Sequence, residues 1–133
     1  MNDRFKFRFW DKVFNNYWTD EEIKENAAWL LFPDNGNIDD IEIEQCTGLK
    51  DKNGKLIYEG DIVQTEDQTI GAVKFGEYGS NDWEGWHFGF YIDWIKNRQF
   101  KRKPTLRKDF WFWIENRELE VIGNVHENEE LLK

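Results

Sequence analysis

From Trp86 to Trp94 every second side chain is large and apolar. Trp86, Phe88, Phe90, Ile92 and Trp94 share one side of an extended chain, and His87, Gly89, Tyr91 and Asp93 share the other. A helix would scatter these residues around its circumference, whereas a strand puts period-two positions on one face. The segment therefore requires a sheet. Residues 4 to 10 repeat the pattern, with Phe5, Phe7 and Phe9 opposite Arg4, Lys6, Arg8 and Trp10, and they predict an opening strand. Asn15-Asn16 marks a turn, and Val13, Tyr17 and Trp18 suggest a short second strand folded back on the first. Ile41 and Ile43 alternate with Glu42 and Glu44, and further strands are expected at Thr69 to Phe75, Phe110 to Ile114 and Leu119 to Val125.

One stretch breaks the β pattern. Thr19 begins T-D-E-E, in which the threonine and Glu22 can each accept the other's backbone N–H as a capping box. Ile23, Ala27, Leu30 and Leu31 then recur at helical spacing, Asp20 and Lys24 stand four apart, and Pro33 ends the run. One helix of about three turns is predicted. Downstream, TGLKDKNGKLIYEGDIV (Thr47 to Val63) contains Asn53-Gly54, which predicts a two-residue hairpin turn with Gly54 at positive φ, and Gly60-Asp61, where a strand starts and Asp61 can cap nearby backbone donors. Several short strands separated by glycines imply a small barrel or sandwich.

The chain holds 133 residues, enough for one core, so a single folding unit is expected over 1–133. Aromatic residues make up 17% of it, and each ring buries about 150 to 250 Å2, so much of that core must be aromatic. The longest apolar run, Ala27 to Phe32, is six residues against the ~20 a spanning helix needs. A lone cysteine, Cys46, and a charged N-terminus without an apolar leader point to a reducing compartment, the cytoplasm.

Charge is unevenly placed. Lys96, Arg98, Lys101, Arg102, Lys103, Arg107 and Lys108 put +7 in residues 96 to 108, where no acid occurs, and the other 120 residues carry −16 within a net −9. With Pro104 and little apolar content, this segment reads as a long exposed loop. It is followed by DFWFWI, Asp109 to Ile114. Arg98, Lys101, Arg102, Lys103, Arg107 and Lys108 could hold phosphates while Trp111 or Trp113 stack on bases. The same cations could equally meet acidic surface on another protein or on a second copy of the chain.

Other chemistry finds little purchase. His87, His126 and Cys46 are far apart in sequence and lack metal-ligand spacing. Glu59 and Asp61 flank Gly60, but 27 acids in this chain make such neighbours common. Cys46 has no nucleophile signature around it and reads as a buried small hydrophobe. Neither a GxGxxG nor a GxxxxGK[ST] motif is present. No catalytic residue, cofactor or metal is expected from these patterns.

Three segments, FRFWD (Phe7 to Asp11), the seventeen-residue TGLKDKNGKLIYEGDIV and the ending LEVIGNVHENEELL (Leu119 to Leu132), resemble the YopX family of phage and prophage proteins. The ending departs from the family pattern at His126 and Glu129, where tyrosine and proline are common. The resemblance implies a mainly β (α+β) fold, a small SH3-like barrel with an N-terminal strand pair and one short helix. The N-terminal β/α portion would take about 1–45 and the barrel portion about 46–133. It also implies a phage or prophage origin with no biochemical activity attached. Together with the charge asymmetry, it yields the expectation of a non-enzymatic accessory protein acting through protein contacts or homo-oligomerisation, with nucleic-acid binding by the basic loop as the alternative.

Overall fold

The computed structural model describes residues 6–31, 40–79, 85–97 and 119–133. The basic residues Arg98 to Lys108, both tryptophans Trp111 and Trp113, and the strand predicted at Phe110 to Ile114 lie outside them. Strand β1 (Phe7–Asp11) turns into β2 (Asn16–Tyr17), helix α1 spans Asp20–Leu31, and β3 (Ile41–Lys50) leads through a tight loop to β4 (Leu56–Tyr58). Then come β5 (Asp61–Gln64), β6 (Thr69–Gly79), β7 (Trp86–Asn97) and β8 (Glu120–Asn124), and a 3₁₀ turn over Glu129–Leu132. The strands form two antiparallel four-stranded sheets, ordered β2-β1-β3-β4 and β7-β6-β5-β8. The mainly β class with one helix is as predicted, and the sheet curls as a half-barrel.

Local chemistry explains the boundaries. The capping box at the start of α1 forms as read: Glu22 N–H donates to Thr19 Oγ1 and Thr19 N–H to Glu22 Oε1, each at 3.2 Å. The β1–β2 connection is shifted from the predicted Asn15-Asn16, because Asp11 organises a four-residue loop over Lys12–Asn15 by accepting the N–H groups of Val13 and Phe14. Asn15 takes the left-handed conformation (φ 55°) and Asn16 is already in β2. Gly54 has the predicted positive φ (84°), but Asn53 does not, so the loop is not a two-residue one. Gly54 N–H bonds to the Asp51 carbonyl and Asp51 N–H to that of Lys55, which makes a three-residue loop ending in a left-handed residue. The β5–β6 loop, Thr65 to Thr69, repeats this geometry with Gln68 (φ 67°) in the glycine's place.

Ile57, Val63, Val73, Ile92, Trp94 and Leu119 form one buried cluster, joined by Leu49, Phe90 and Val121. Residues of β3 and β4 thus share a core with the second sheet. Cys46 is fully buried inside β3, as the small hydrophobe expected. One alternation pattern and one loop boundary need correction. Phe7 is 46% exposed while Phe9 and Trp10 are both buried, so each face of β1 is covered by other elements. Strand β7 continues to Asn97, paired with Thr69, so the segment read as a loop from residue 96 begins as strand.

Candidate functional site

Strand β1 turns Arg8 toward the junction between the sheets. Its Nε donates to Glu44 Oε1 at 2.7 Å, Nη1 lies 2.8 Å from Asp61 Oδ1, and Nη2 donates to the Glu59 carbonyl at 3.2 Å. The guanidinium also lies over the rings of Tyr17 and Tyr58, at 4.6 and 4.8 Å from their centroids. The three other strands of its sheet and the first residue of β5 in the other sheet therefore converge on a single cation. Glu44 and Asp61 are buried, and burial holds Asp61 above its ordinary carboxylate range even though Arg8 and the Tyr58 N–H pull it down. Glu59 is likewise raised, first by burial and then by Glu44 and Glu42 nearby. Arg8 is itself held above its usual value, the attraction of Asp61 and Glu44 outweighing its own desolvation. Burial beside Glu44 pushes the Tyr17 phenol up, and its hydroxyl donates to Glu44 Oε1 at 2.8 Å.

The other oxygen of Glu44 faces the C-terminal tail. His126 Nε2 lies 2.9 Å from Glu44 Oε2 and 3.3 Å from Glu42 Oε2. Its ring stacks on Trp10 at 4.4 Å with planes 5° apart and meets Tyr17 edge-on. What delivers the histidine is β8: Asp61 pairs with Asn124, Val125 N–H bonds to the Gly60 carbonyl, and Asn124 Oδ1 accepts the N–H groups of His126 and Glu127. A cavity of about 320 Å3 opens alongside, with Glu42, Glu44, Glu59, Gly60, Lys74 and Tyr91 among its lining residues.

Sequence reasoning gave neither His126 nor Glu42 and Glu44 a role, since His126 and Glu44 stand 82 residues apart and only the fold unites them. The signal was thin: two acids alternating on β3, and a histidine after β8 where the resembling pattern has tyrosine. His87 lies elsewhere, stacked on Tyr78 of β6. Asp61 does cap the Tyr58 N–H as predicted, and Glu59 points to Arg8 with its carbonyl instead of pairing with Asp61 as a carboxylate couple. All eight residues proposed for phosphate or partner contact, Arg98 through Trp113, fall outside the described residues.

A second feature is the ribbon formed by β6 and β7. Strand β5 pairs with β6 only from Ile70 to Ala72, whereas β6 and β7 stay paired out to Gly79 and Trp86. The outer part carries Phe75, Trp86 and Phe88, exposed to 45%, 58% and 75%, with Phe75 packed edge-on against Phe88 and Phe90. The apolar face of β7 is thus buried at Ile92 and Trp94 and open to solvent at its far end. No helix among the described residues is long and apolar enough to cross a membrane.

A family model described as YopX protein matches residues 6–133. The fold is similar to that of protein EF1440 from Enterococcus faecalis, a crystal structure, at a TM-score of 0.52 and 21% identity, over 96% of this chain and 97% of that one. No curated protein matches the chain.

Proposed function

The chain belongs to the YopX family, and from that premise we propose that it is a non-enzymatic accessory protein of phage or prophage type. It acts in the cytoplasm by binding protein, first of all a second copy of itself. The observation that supports this reading is the aromatic end of the β6–β7 ribbon, where Phe75, Trp86 and Phe88 form an exposed apolar face on one side of two strands. Isolated exposed rings are ordinary on protein surfaces, but adjacent ones on a projecting ribbon favour burial against a partner. Charge supports a second copy as that partner, because +7 in residues 96 to 108 faces −16 elsewhere, so each protomer offers both halves of an electrostatic match. Light scattering over a range of concentrations at low and high salt tests it. Association that weakens with salt and disappears in Trp86→Ser/Phe88→Ser, with unfolding unchanged, is the expected result. A monomer at every concentration at low salt refutes it.

The alternative is nucleic-acid contact through Arg98, Lys101, Arg102, Lys103, Arg107 and Lys108, with Trp111 or Trp113 stacking, and its support is the sequence pattern alone. Under it, replacing Lys101, Arg102 and Lys103 by glutamine would reduce the salt slope of binding by about 0.9 for each duplex-DNA phosphate that is no longer neutralised. Absence of binding at about 50 mM salt, where such ion pairing is strong, removes it.

A further inference from the structure

We propose that Glu42, Glu44 and His126 form a binding site for a divalent transition-metal ion of the zinc class, which pins the C-terminal tail to β3. The three side chains offer one imidazole nitrogen and two carboxylate oxygens, all within 4.8 Å of one another. With metal–ligand bonds of about 2.0 to 2.2 Å, adjacent ligand atoms in a tetrahedral or octahedral shell stand about 2.9 to 3.5 Å apart. His126 Nε2 already lies 2.9 Å from Glu44 Oε2 and 3.3 Å from Glu42 Oε2. An ion would take the place of the hydrogen shared among them, with the ring proton on Nδ1.

Three further observations support a ligand at this point. Glu44 divides its oxygens: Oε1 is held by Arg8 Nε and the Tyr17 hydroxyl, which leaves Oε2 directed at His126, the arrangement by which outer partners fix a metal-binding carboxylate. Stacking on Trp10 fixes the plane of the His126 ring. Gly60 keeps the space beside Glu44 Oε2 open, since a Cβ there would collide with that oxygen. The cavity lined by Glu42, Glu44 and Gly60 opens beside the two carboxylates. An imidazole in the donor set favours zinc and neighbours such as copper, nickel and iron over calcium, magnesium and manganese, which prefer oxygen ligands.

Titration of the purified chain with Zn2+ by calorimetry, and with Co2+ by visible absorption, tests the assignment. One ion per chain, a cobalt d–d spectrum with nitrogen and oxygen ligation, and a rise in unfolding temperature with added Zn2+ are expected. His126→Phe keeps the stack on Trp10 and removes the nitrogen, and should lower Zn2+ affinity at least a hundredfold. Glu42→Gln, on a half-exposed side chain, should lower it about tenfold. Lack of Zn2+ binding by the wild-type chain, undiminished binding by a folded His126→Phe, or equal affinity for Ca2+ would each overturn the proposal.

Discussion

Replacing Arg8 tests the packing of the site most directly. Its side chain is 19% exposed, while those of Glu44 and Asp61 are 6% and 3% exposed, so Arg8→Met leaves two nearly dry carboxylates without their cation. Breaking a buried ion pair from one side costs roughly 3 to 5 kcal/mol, against a total stability of about 5 to 15 kcal/mol for a domain. We expect a loss in that range at pH 7. Arg8→Lys should recover only about half of it, because one ammonium cannot reach Glu44, Asp61 and the Glu59 carbonyl together, nor lie flat between Tyr17 and Tyr58. The pH dependence is the sharper part. Burial already raises Asp61 despite Arg8, so removing Arg8 raises it further, and a carboxyl raised in the folded state costs stability above that value. The deficit of Arg8→Met should therefore be full at neutral pH and shrink as pH falls toward the unfolded carboxylate value of about 4. Urea unfolding followed by tryptophan fluorescence at pH 7, 6 and 5 measures it. An Arg8→Met chain within about 1 kcal/mol of wild type at pH 7, or a deficit that does not change with pH, would refute the reasoning.

Three other outcomes are expected. Asp51 accepts the N–H groups of Asn53 and Lys55 on one oxygen and of Val121 on the other, all at 2.9 Å, so Asp51→Asn must fail on one side whichever way its amide turns, and should cost about 1 to 3 kcal/mol in chemical denaturation. Asp11 is lowered below its ordinary value, hydrogen bonds from Trp18, Phe14 and Val13 outweighing burial, so its stabilisation is present above about pH 4 and is lost as pH falls through the folded value. The gap in urea midpoint between wild type and Asp11→Ala should thus narrow from pH 7 to pH 3. Gln68→Gly should stabilise the chain by about 0.5 to 1 kcal/mol in thermal melts, since a non-glycine residue at φ 67° is strained where the equivalent loop has Gly54.

The sequence showed what depends on neighbours along the chain. The capping box at Thr19 and Glu22, the positive φ of Gly54, the burial of Cys46 and the faces of β7 each follow from spacing within a few residues. It misjudged the loops at Asp11 and Asp51, because a carboxylate that gathers several backbone donors lengthens a turn that Asn-Gly or Asn-Asn alone would make shorter. The face of β1 that carries Arg8 and Trp10 is the one that builds the site, and nothing local distinguishes a cation facing water from one facing Glu44 and Asp61. His126 was invisible for the same reason, its partners being set by the pairing of β5 with β8.

That pairing also sets an order of events in folding. Strands β6 and β7 form a hairpin of near neighbours, and such ribbons zip in microseconds, whereas joining Asp61 to Asn124 closes a loop of some sixty residues and is slow. Docking of β8 is what carries His126 to Glu44 and Trp10. The junction between the sheets is consequently among the last parts of the molecule to assemble, and quenching or shift of Trp10 emission by the stacked imidazole would act as a clock for the final step, long after the aromatic ribbon has formed.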